Sequence, residues 1–418
     1  MTESVHEVTV TAVTPDGQGI ARLADGMVVF IPGALPGERV TARIRSLGKK
    51  SARASLVDIV QPSPDRVVPP CPSAGDCGGC PLSHMRAAAQ HAFKVQEVEA
   101  ALTRIGGVPA AAAVPQFFSA APLGYRNKIT LAVAGGRVGY RNEVDGHLVE
   151  IEDCCLFAGN AGRMLAALRA AGLPCGVEHA VLGCYGQGKR EGIVLCGVGK
   201  APDAAALTAL LPDVALYYHR KPHADRRAFV PAGRTRLLAG TPLPVGPEAF
   251  HQINEAVADM LYAQVERSVC GARPRGILDA YCGAGALSVR LSRYAPVYGV
   301  EIDKRAVEEA TARAREKKAN ATFLAADCAV GIAAVADKCD VAVLDPPRGG
   351  CGKGVTAALL KSNLRRLVYV SCHPATLARD LAVLRKRYGV TAVYAYDMFP
   401  QTGHVETLAV LEKIIHNA

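Results

Sequence analysis

Two side chains near the end of the sequence have residue types and positions that suit covalent chemistry. Cys372 lies in the motif SCHP, directly after an apolar stretch that predicts a strand. A cysteine at the carboxyl end of a central strand is well placed as a nucleophile, although a single cysteine is more often a buried core residue. Glu406 lies in the motif HVE, at the predicted base of a terminal hairpin. We therefore expect both side chains at one rim of a sheet.

A thiolate and a carboxylate beside a methyl donor suit reaction at a ring carbon that is not nucleophilic by itself. Uracil C5 is such an atom, because a thiolate must first add at C6 to create an enolate before C5 can accept a methyl group. A base must then remove the C5 proton so that the thiol can leave. Cys372 and Glu406 supply these two roles. Asp345, which ends an earlier predicted strand, is placed to hydrogen-bond the uracil edge.

A glycine-rich turn, DAYCGAG at residues 279–285, predicts the site of the donor. Its glycines allow the backbone to approach a ligand at the carboxyl end of a parallel sheet. Glu301 ends the next predicted strand, about 20 residues on, where an acid can bind both ribose hydroxyls. Asp327 follows the third strand, where it either accepts from an adenine amino group or caps the next helix. The motif thus predicts binding of a nucleoside.

The motif DPPR at residues 345–348 predicts a rigid wall beside the donor. Methyltransferases that act on amino groups carry a similar loop, with an aromatic residue after the prolines to stack on a flipped base. Arg348 occupies that position here. The sequence therefore argues against a reaction at an exocyclic amine.

A third cluster consists of cysteines at the start of the central region. Cys71, Cys77 and Cys80 are closely spaced, and Cys154 and Cys155 follow later. Three close cysteines and a distant one suit a four-thiolate site for zinc or an iron–sulfur cluster. The spacing is neither that of a zinc ribbon nor the CxxxCxxC of radical enzymes, so a structural role is expected.

The elements that must position these residues fall into three regions. Five short strands over residues 1–60 predict a small barrel of the oligonucleotide-binding type, with basic residues gathered near its end. After a proline-rich boundary come a helix over 87–105 and strands or hairpins up to about residue 244. From there strand and helix alternate and end in an antiparallel hairpin, which predicts an α/β fold with the class I methyltransferase layout rather than a plain dinucleotide-binding fold.

Composition sets the remaining limits. A chain of 418 residues, half of them hydrophobic and 21% charged, is too long for one ordinary core. The net charge of +10 suits a polyanion partner. The first residues resemble no signal peptide, and no apolar run is long enough to cross a bilayer. We therefore expect a cytoplasmic protein, and fourteen scattered cysteines then favour metal binding or catalysis over disulfides.

The whole chain resembles the RNA uracil-5-methyltransferase family, and within it the 23S ribosomal RNA branch of the RlmD type. The resemblance rests on the N-terminal TRAM-like barrel and on the motifs CxxxxxCGGC, FHQIN, DAYCGAG, DPPRGG, SCHPATLARD and DMFPQTGHVE. It implies S-adenosylmethionine as the methyl donor and RNA as the partner, with Cys372 as the nucleophile and Glu406 as the proton-abstracting base. The positions that match donor-binding residues are Gln252, Tyr281, Glu301, Asp327 and Asp345.

The resemblance also implies a 4Fe–4S cluster in a central α+β domain. Its ligands would be Cys71, Cys77, Cys80 and Cys154, with Cys154 preferred over Cys155. Two positions depart from the family pattern: Ala286 replaces a polar residue that contacts the donor, and His373 replaces the asparagine after the nucleophile. Neither departure removes a catalytic group.

These features predict a TRAM barrel at residues 1–60, an iron–sulfur and RNA-binding domain at 61–245, and a methyltransferase domain at 246–418. We expect a monomer that methylates 23S ribosomal RNA and contacts no membrane. One alternative is the transfer RNA uridine-54 enzyme, whose typical bacterial members lack the barrel and the cysteine cluster. Another is a non-catalytic assembly factor, for which loss of Cys372, Glu406 or Asp345 would be expected, and all three are present.

Overall fold

The computed structural model describes residues 4–142, 145–186, 188–221, 228, 234–244, 246 and 251–414. Phe250, the first residue of the FHQIN motif, lies outside this set. The chain forms two compact units. The first comprises Met1–Gln90, Ala121–Glu255 and Pro400–Gly403, and the second comprises His91–Ala120, Ala256–Phe399 and His404–Ala418.

The first unit begins with a closed five-stranded barrel. Its strands are β1 (Val5–Val13), β2 (Gln18–Arg22), β3 (Val28–Pro32), β4 (Arg39–Leu47) and β5 (Ser51–Gln61). They follow the order β1-β2-β3-β5-β4, and β4 pairs with β1 to close the barrel. Alternate side chains point inward, so Val29 and Ile31 of β3 are fully buried. This confirms the predicted barrel.

A long helix follows, and the chain then reaches the edge of a later sheet. The elements are α1 (Ala87–Arg104), α2 (Ala110–Ala113) and strand β6 (Gln116–Phe118). Val98 and Leu102 of α1 are fully buried in the core of the second unit. The helix ends before two glycines, and Gly107 has a φ of 59°, which a glycine adopts without strain. The helix is close to the predicted span.

The rest of the first unit is built on a seven-stranded sheet. Its elements are β7 (Lys128–Ala134), β8 (Arg137–Arg141), β9 (Leu148–Glu150), α3 (Ala161–Ala171), β10 (Val177–Tyr185), β11 (Arg190–Gly197), α4 (Ala205–Leu210), β12 (Ala215–Arg220) and β13 (Arg234–Ala239). The order is β13-β12-β11-β10-β7-β8-β9, in which β11 and β12 are the parallel pair. Met164 and Leu168 of α3 are fully buried against the strands.

The second unit carries an alternating strand–helix pattern. Its remaining elements are α5 (Glu255–Cys270), β14 (Ile277–Ala280), α6 (Ala286–Leu291), β15 (Val297–Glu301), α7 (Lys304–Glu316), β16 (Ala321–Ala325), α8 (Cys328–Val335), a 3₁₀ turn (Ala336–Lys338), β17 (Val341–Leu344), α9 (Gly352–Lys361), β18 (Arg366–Ser371), α10 (Pro374–Leu384), β19 (Tyr388–Tyr396) and β20 (Glu406–Lys413).

These strands and β6 form one eight-stranded sheet in the order β16-β15-β14-β17-β18-β20-β19-β6. The first five strands are parallel, and β20 lies antiparallel between β18 and β19. Separate apolar cores cover the two faces, one around Leu344 and Tyr369 and the other around Val343 and Val368. This confirms the class I methyltransferase layout. The connection of the predicted hairpin is a loop that spans residues 397–405.

Within the described residues, no helix is both long enough and apolar enough to cross a membrane.

Candidate active site

The carboxyl ends of the parallel strands place five predicted site residues along one edge of the sheet. Ala280, the last residue of β14, pairs with Val300 on one side and with Leu344 on the other. The next residue after each of these three is a predicted site residue, namely Tyr281, Glu301 and Asp345. Asp327 follows β16, and Cys372 follows β18. Because parallel strands end at the same edge, these residues share one crevice.

The glycine-rich turn between β14 and α6 has a strained backbone. Tyr281 has a φ of 63°, in the left-handed region that non-glycine residues rarely adopt. Its hydroxyl donates to the backbone oxygen of Cys351 at 3.4 Å. Gly283 and Gly285 also have positive φ values, of 52° and 74°. The turn thus bends sharply at the point where a ligand is predicted to approach.

The carboxylate side chains of Asp279 and Glu301 accept hydrogen bonds at this turn. Asp279 is buried and accepts a hydrogen bond from the Ser288 hydroxyl at 2.5 Å. Burial and the charge of Asp345 raise the pKa of Asp279 to about 7, against the opposing effect of the Ser288 hydrogen bond. One Glu301 oxygen accepts from the Gly283 N–H at 3.2 Å, and the other accepts from the N–H groups of residues 302 and 303.

Asp327 has the geometry of a helix cap. It is the N-cap of α8, and its side chain accepts from the backbone N–H of Ala329 at 2.9 Å. This matches one of the two roles that the sequence left open. The side chain is exposed, so the cap does not close it off from the crevice.

The DPPRGG loop is held in place by the first turns of α10. The Thr376 hydroxyl donates to the Arg348 backbone oxygen at 3.2 Å, and the Arg379 guanidinium donates to the Gly349 oxygen at 2.8 Å. Asp380 accepts from the Cys351 backbone N–H and from the Tyr369 hydroxyl, each at 2.7 Å. The three α10 residues have no role predicted from the sequence, although all of them lie in the motif SCHPATLARD.

Strand register brings the two proposed catalytic groups together. Ser371, the last residue of β18, pairs with Thr407 of the antiparallel strand β20. The pairing ends there, and the residues next to this last pair are Cys372, directly after β18, and Glu406, the first residue of β20. Glu406 is 7% exposed, whereas Cys372 is only partly buried. The charge of Glu406 acts on the Cys372 thiol, so a partly accessible thiol lies near a buried carboxyl group.

The electrostatics of this pair favour the neutral forms. Burial and the negative charge of Asp345 raise the pKa of Glu406 to about 8. Asp345 is exposed to solvent, but many protein atoms surround its carboxyl group, and this desolvation raises its pKa to about 6. Burial, followed by the charge of Glu406, raises the pKa of the Cys372 thiol, whereas the charge of Arg348 lowers it.

His373, which follows Cys372 and replaces the asparagine of the family pattern, has a structural role at the start of α10. It is the N-cap residue, and its Nδ1 accepts from the Thr376 N–H at 3.4 Å. Burial and the nearby Arg348 charge lower the pKa of His373, which keeps the ring neutral and able to accept. Pro374 occupies the first helical position, where it fits without losing a hydrogen bond. Cys372 is thus fixed between a strand end and a capped helix.

The five cysteines of the third cluster line a single small cavity in the first unit. Cys71, Cys77, Cys80, Cys154 and Cys155 surround it together with Arg126 and Tyr140. The Tyr140 hydroxyl lies 3.9 Å from the sulfur of Cys154. Burial first, and then the neighbouring cysteines, raise the pKa of Cys80 to about 12 and that of Cys155 to about 11. Among the described residues, however, no three His, Cys, Asp or Glu side chains are placed to hold a single metal ion.

Gln252 belongs to the first unit, in the segment before α5. Asn127 holds this segment: its side-chain amide donates to the Gln252 backbone oxygen and to the Glu255 carboxylate, each at 3.0 Å. The Asn127 backbone N–H donates to the Ile253 oxygen at 2.9 Å. Asn127 is 3% exposed.

Comparison with known proteins agrees with this arrangement. Residues 1–57 match the TRAM domain model, residues 277–345 match a methyltransferase domain model, and residues 326–414 match the model of tRNA (uracil-5-)-methyltransferase. An uncharacterized RNA methyltransferase of Thermosynechococcus vestitus is 34% identical over 97% of both chains. The 23S rRNA (uracil(1939)-C(5))-methyltransferase RlmD of Acidithiobacillus ferrooxidans is 33% identical over 98% of this chain and 97% of its own.

The chain belongs to the RNA (uracil-5-)-methyltransferase family. As a member of that family it is an S-adenosylmethionine-dependent enzyme that acts on RNA. Its fold is also that of a solved family structure, the tRNA (uracil-54, C5)-methyltransferase of Pyrococcus abyssi in complex with S-adenosyl-L-homocysteine. The two structures share a TM-score of 0.77 at 24% identity, over 97% of this chain and 100% of the other.

Proposed function

We propose that this RNA (uracil-5-)-methyltransferase modifies a uridine of 23S ribosomal RNA through a covalent adduct on Cys372. The observation that supports the mechanism is the pairing of Ser371 in β18 with Thr407 in β20, because Cys372 and Glu406 are the residues next to this pair, at the edge where the glycine-rich turn opens. The choice of RNA is supported by the RlmD relative, whose sequence aligns with this chain over nearly its full length.

The reaction begins at the thiol. The Cys372 thiolate adds to uracil C6, and the electron pair of the C5–C6 double bond moves toward the C4 carbonyl to give an enolate. C5 of this enolate then takes the methyl group from S-adenosylmethionine, whose sulfur–methyl bond breaks to leave S-adenosyl-L-homocysteine, and the C4 carbonyl re-forms. The product of this step is a saturated ring that carries both the methyl group and the C5 proton.

Release of the product requires the carboxylate. Glu406 takes the C5 proton, the electrons of the C–H bond restore the C5–C6 double bond, and the C6–S bond breaks so that sulfur leaves as a thiolate. Asp345, beside this pair, is proposed to hydrogen-bond the uracil edge and to face the donor. The remaining residues proposed to bind the donor are Gln252, Tyr281, Glu301 and Asp327.

We further propose that the cysteine cavity holds a 4Fe–4S cluster on Cys71, Cys77, Cys80 and Cys154. A four-iron cluster binds each thiolate through a different iron, so its ligands stand farther apart than those of a single ion. The shared cavity supports this donor set, and four thiolates are the usual ligands of such clusters.

Protein purified without oxygen should be brown and should contain iron and sulfide. Of the Cys154→Ala and Cys155→Ala variants, the one that loses iron identifies the fourth ligand. Zinc in a colourless and fully active preparation would refute the cluster.

Transfer RNA is the second candidate substrate, and the Pyrococcus abyssi structure is the observation that favours it, because its chain is covered completely by this fold. The two candidates are separated by offering protein-free 23S ribosomal RNA and transfer RNA with methyl-labelled donor. Nuclease mapping should locate 5-methyluridine in the ribosomal RNA. Label in the T-loop of transfer RNA alone would assign this chain to the other branch. We propose a cytoplasmic monomer in either case.

A further inference from the structure

A fully buried lysine in the second unit belongs to none of the sites described above. Lys94 lies on α1 and is 0% exposed, although a lysine is almost never fully buried without a partner. Its Nζ donates to Asp397 Oδ1 at 2.5 Å and to the backbone oxygen of Phe399 at 3.1 Å. Asp397 is 1% exposed. The two charges are therefore removed from water together.

Asp397 has two further anchors. Its backbone N–H donates to the Phe118 oxygen at the end of β6, at 2.8 Å. Its second carboxylate oxygen lies 3.4 Å from Nε2 of His91, one turn before Lys94 on α1. The His91 ring packs on Phe117 of β6, with ring centroids 4.8 Å apart. The helix and the edge strand thus hold one aspartate from three sides.

This aspartate directly follows the residue that pairs with the proposed base. Tyr396, the last residue of β19, pairs directly with Glu406 at the start of β20. Asp397 is the next residue, so the loop that delivers Glu406 to the crevice begins at the ion pair. A buried ion pair contributes little net stability compared with apolar residues of the same size, because both charges lose their hydration. A fixed geometry for the loop is what such a pair supplies in return.

We propose that Lys94 is a positioning residue that acts through Asp397 to set the Glu406 carboxylate for removal of the C5 proton. This inference rests on the proposed role of Glu406. It predicts that Lys94 matters for the second half of the reaction, release of the methylated RNA, and hardly matters for methyl transfer itself.

The test measures both halves of the reaction in one sample. RNA carrying tritium at uridine C5 is mixed with donor carrying a ¹⁴C-methyl group, and tritium release is compared with methyl transfer. In Lys94→Met, the ratio of tritium released to methyl groups transferred should fall at least ten-fold, and methylated RNA should accumulate on the protein. Lys94→Arg should restore most of the ratio, and Asp397→Asn should resemble Lys94→Met. Because the ratio counts only molecules that have transferred a methyl group, loss of folded protein does not affect it.

Two reference variants separate the possible failures. Lys386→Met removes an exposed lysine from the same unit and should leave the ratio unchanged. Glu406→Gln should give the complete stall. If Glu406→Gln stalls but Lys94→Met behaves like Lys386→Met, or loses methyl transfer and tritium release equally, the role of Lys94 is refuted while that of Glu406 stands. If Glu406→Gln does not stall, the proposed base is wrong and the inference for Lys94 fails with it.

Discussion

The thiol of Cys372 and the carboxyl group of Glu406 are both held against ionisation in the free enzyme. Burial is the main cause for each, and negative neighbours add to it. In the proposed mechanism both groups act only after losing a proton, the first as a thiolate and the second as a carboxylate. Arg348 is the nearby cation that opposes this trend at Cys372. We therefore expect activity to depend on pH through two groups whose pKa values shift in the same direction.

The pH dependence of proton removal follows from the raised pKa of Glu406. The carboxylate fraction grows as pH rises through about 8. Release of the C5 proton should therefore accelerate from about pH 6 to about pH 9 and then level off. Tritium release per methyl group transferred, followed in a single turnover of C5-labelled RNA, measures this step apart from thiolate addition. A rate that is constant over the range, or that falls with increasing pH, would contradict the assignment of Glu406 as the base.

At the scale of elements, much of the methyltransferase sheet could be predicted from sequence. The five parallel strands are short apolar runs separated by amphipathic helices, so their order and ends follow from periodicity and turn residues. Cys372, Glu301 and Asp345 could be placed because each follows directly after such a run. The three-residue strand β6 could not be predicted, since Gln116–Phe118 is too short to show a period and is fixed only by pairing with β19.

Contacts between residues far apart in the chain could not be predicted from the sequence either. Lys94 and Asp397 are 303 residues apart, and only their shared burial in the structure shows that they form a pair. The spacing of the α10 residues indicated part of this contact, because Thr376, Arg379 and Asp380 lie within the first two turns of the helix that follows Cys372. Their target, the DPPRGG loop, depends on how β17 and β18 pair, and the sequence alone does not specify that contact.

Close packing behind the donor turn predicts a difference between its two glycines. A Cβ at Gly285 would lie 2.8 Å from the Cβ of Ala310 and 3.1 Å from the Phe323 ring, whereas a Cβ at Gly283 would meet nothing within 4 Å. Gly285→Ala combines overpacking with backbone strain and should lower the free energy of unfolding by about 2–5 kcal/mol. Gly283→Ala adds strain alone, about 1–2 kcal/mol.

Urea unfolding of both glycine variants measures this difference, and calorimetric titration with S-adenosylmethionine reports on the turn. Donor binding should weaken more in Gly285→Ala than in Gly283→Ala. Equal losses of stability in the two variants would show that contact with α7 and β16 does not hold the turn.

At the scale of the whole molecule, the chain joins a methyltransferase sheet to a barrel and a cysteine-lined domain. Only part of the positive charge behind the net +10 is available to attract RNA, because many arginines form ion pairs within the protein, such as Arg66 with Glu38. On the barrel, by contrast, Lys49, Lys50 and Arg53 are exposed around the turn from β4 to β5. We expect these charges to contact phosphate, since side chains cannot read the deep major groove of duplex RNA and the affinity comes largely from the backbone.

Removing two of these charges tests that expectation. The double variant Lys49→Gln and Lys50→Gln should reduce the slope of log affinity against log salt concentration by about 1.4 for single-stranded RNA, since each phosphate contact contributes about 0.7. Donor affinity should not change. A charge-matched control, Lys361→Gln with Lys386→Gln on α9 and just after α10, should keep the wild-type slope. The same loss of slope in both variants would point to net charge rather than to the barrel.

The covalent adduct on Cys372 is the most direct test of the proposed mechanism. RNA containing 5-fluorouridine should trap the enzyme in the presence of S-adenosylmethionine, because fluorine cannot leave C5 as a proton does. Denaturing gels and peptide mass spectrometry should place a methylated RNA adduct on Cys372, in the wild type and in the control Cys270→Ala, which removes an exposed cysteine of the same unit. Cys372→Ala should form no adduct. An adduct that survives Cys372→Ala, or one that maps to another cysteine, would contradict the mechanism.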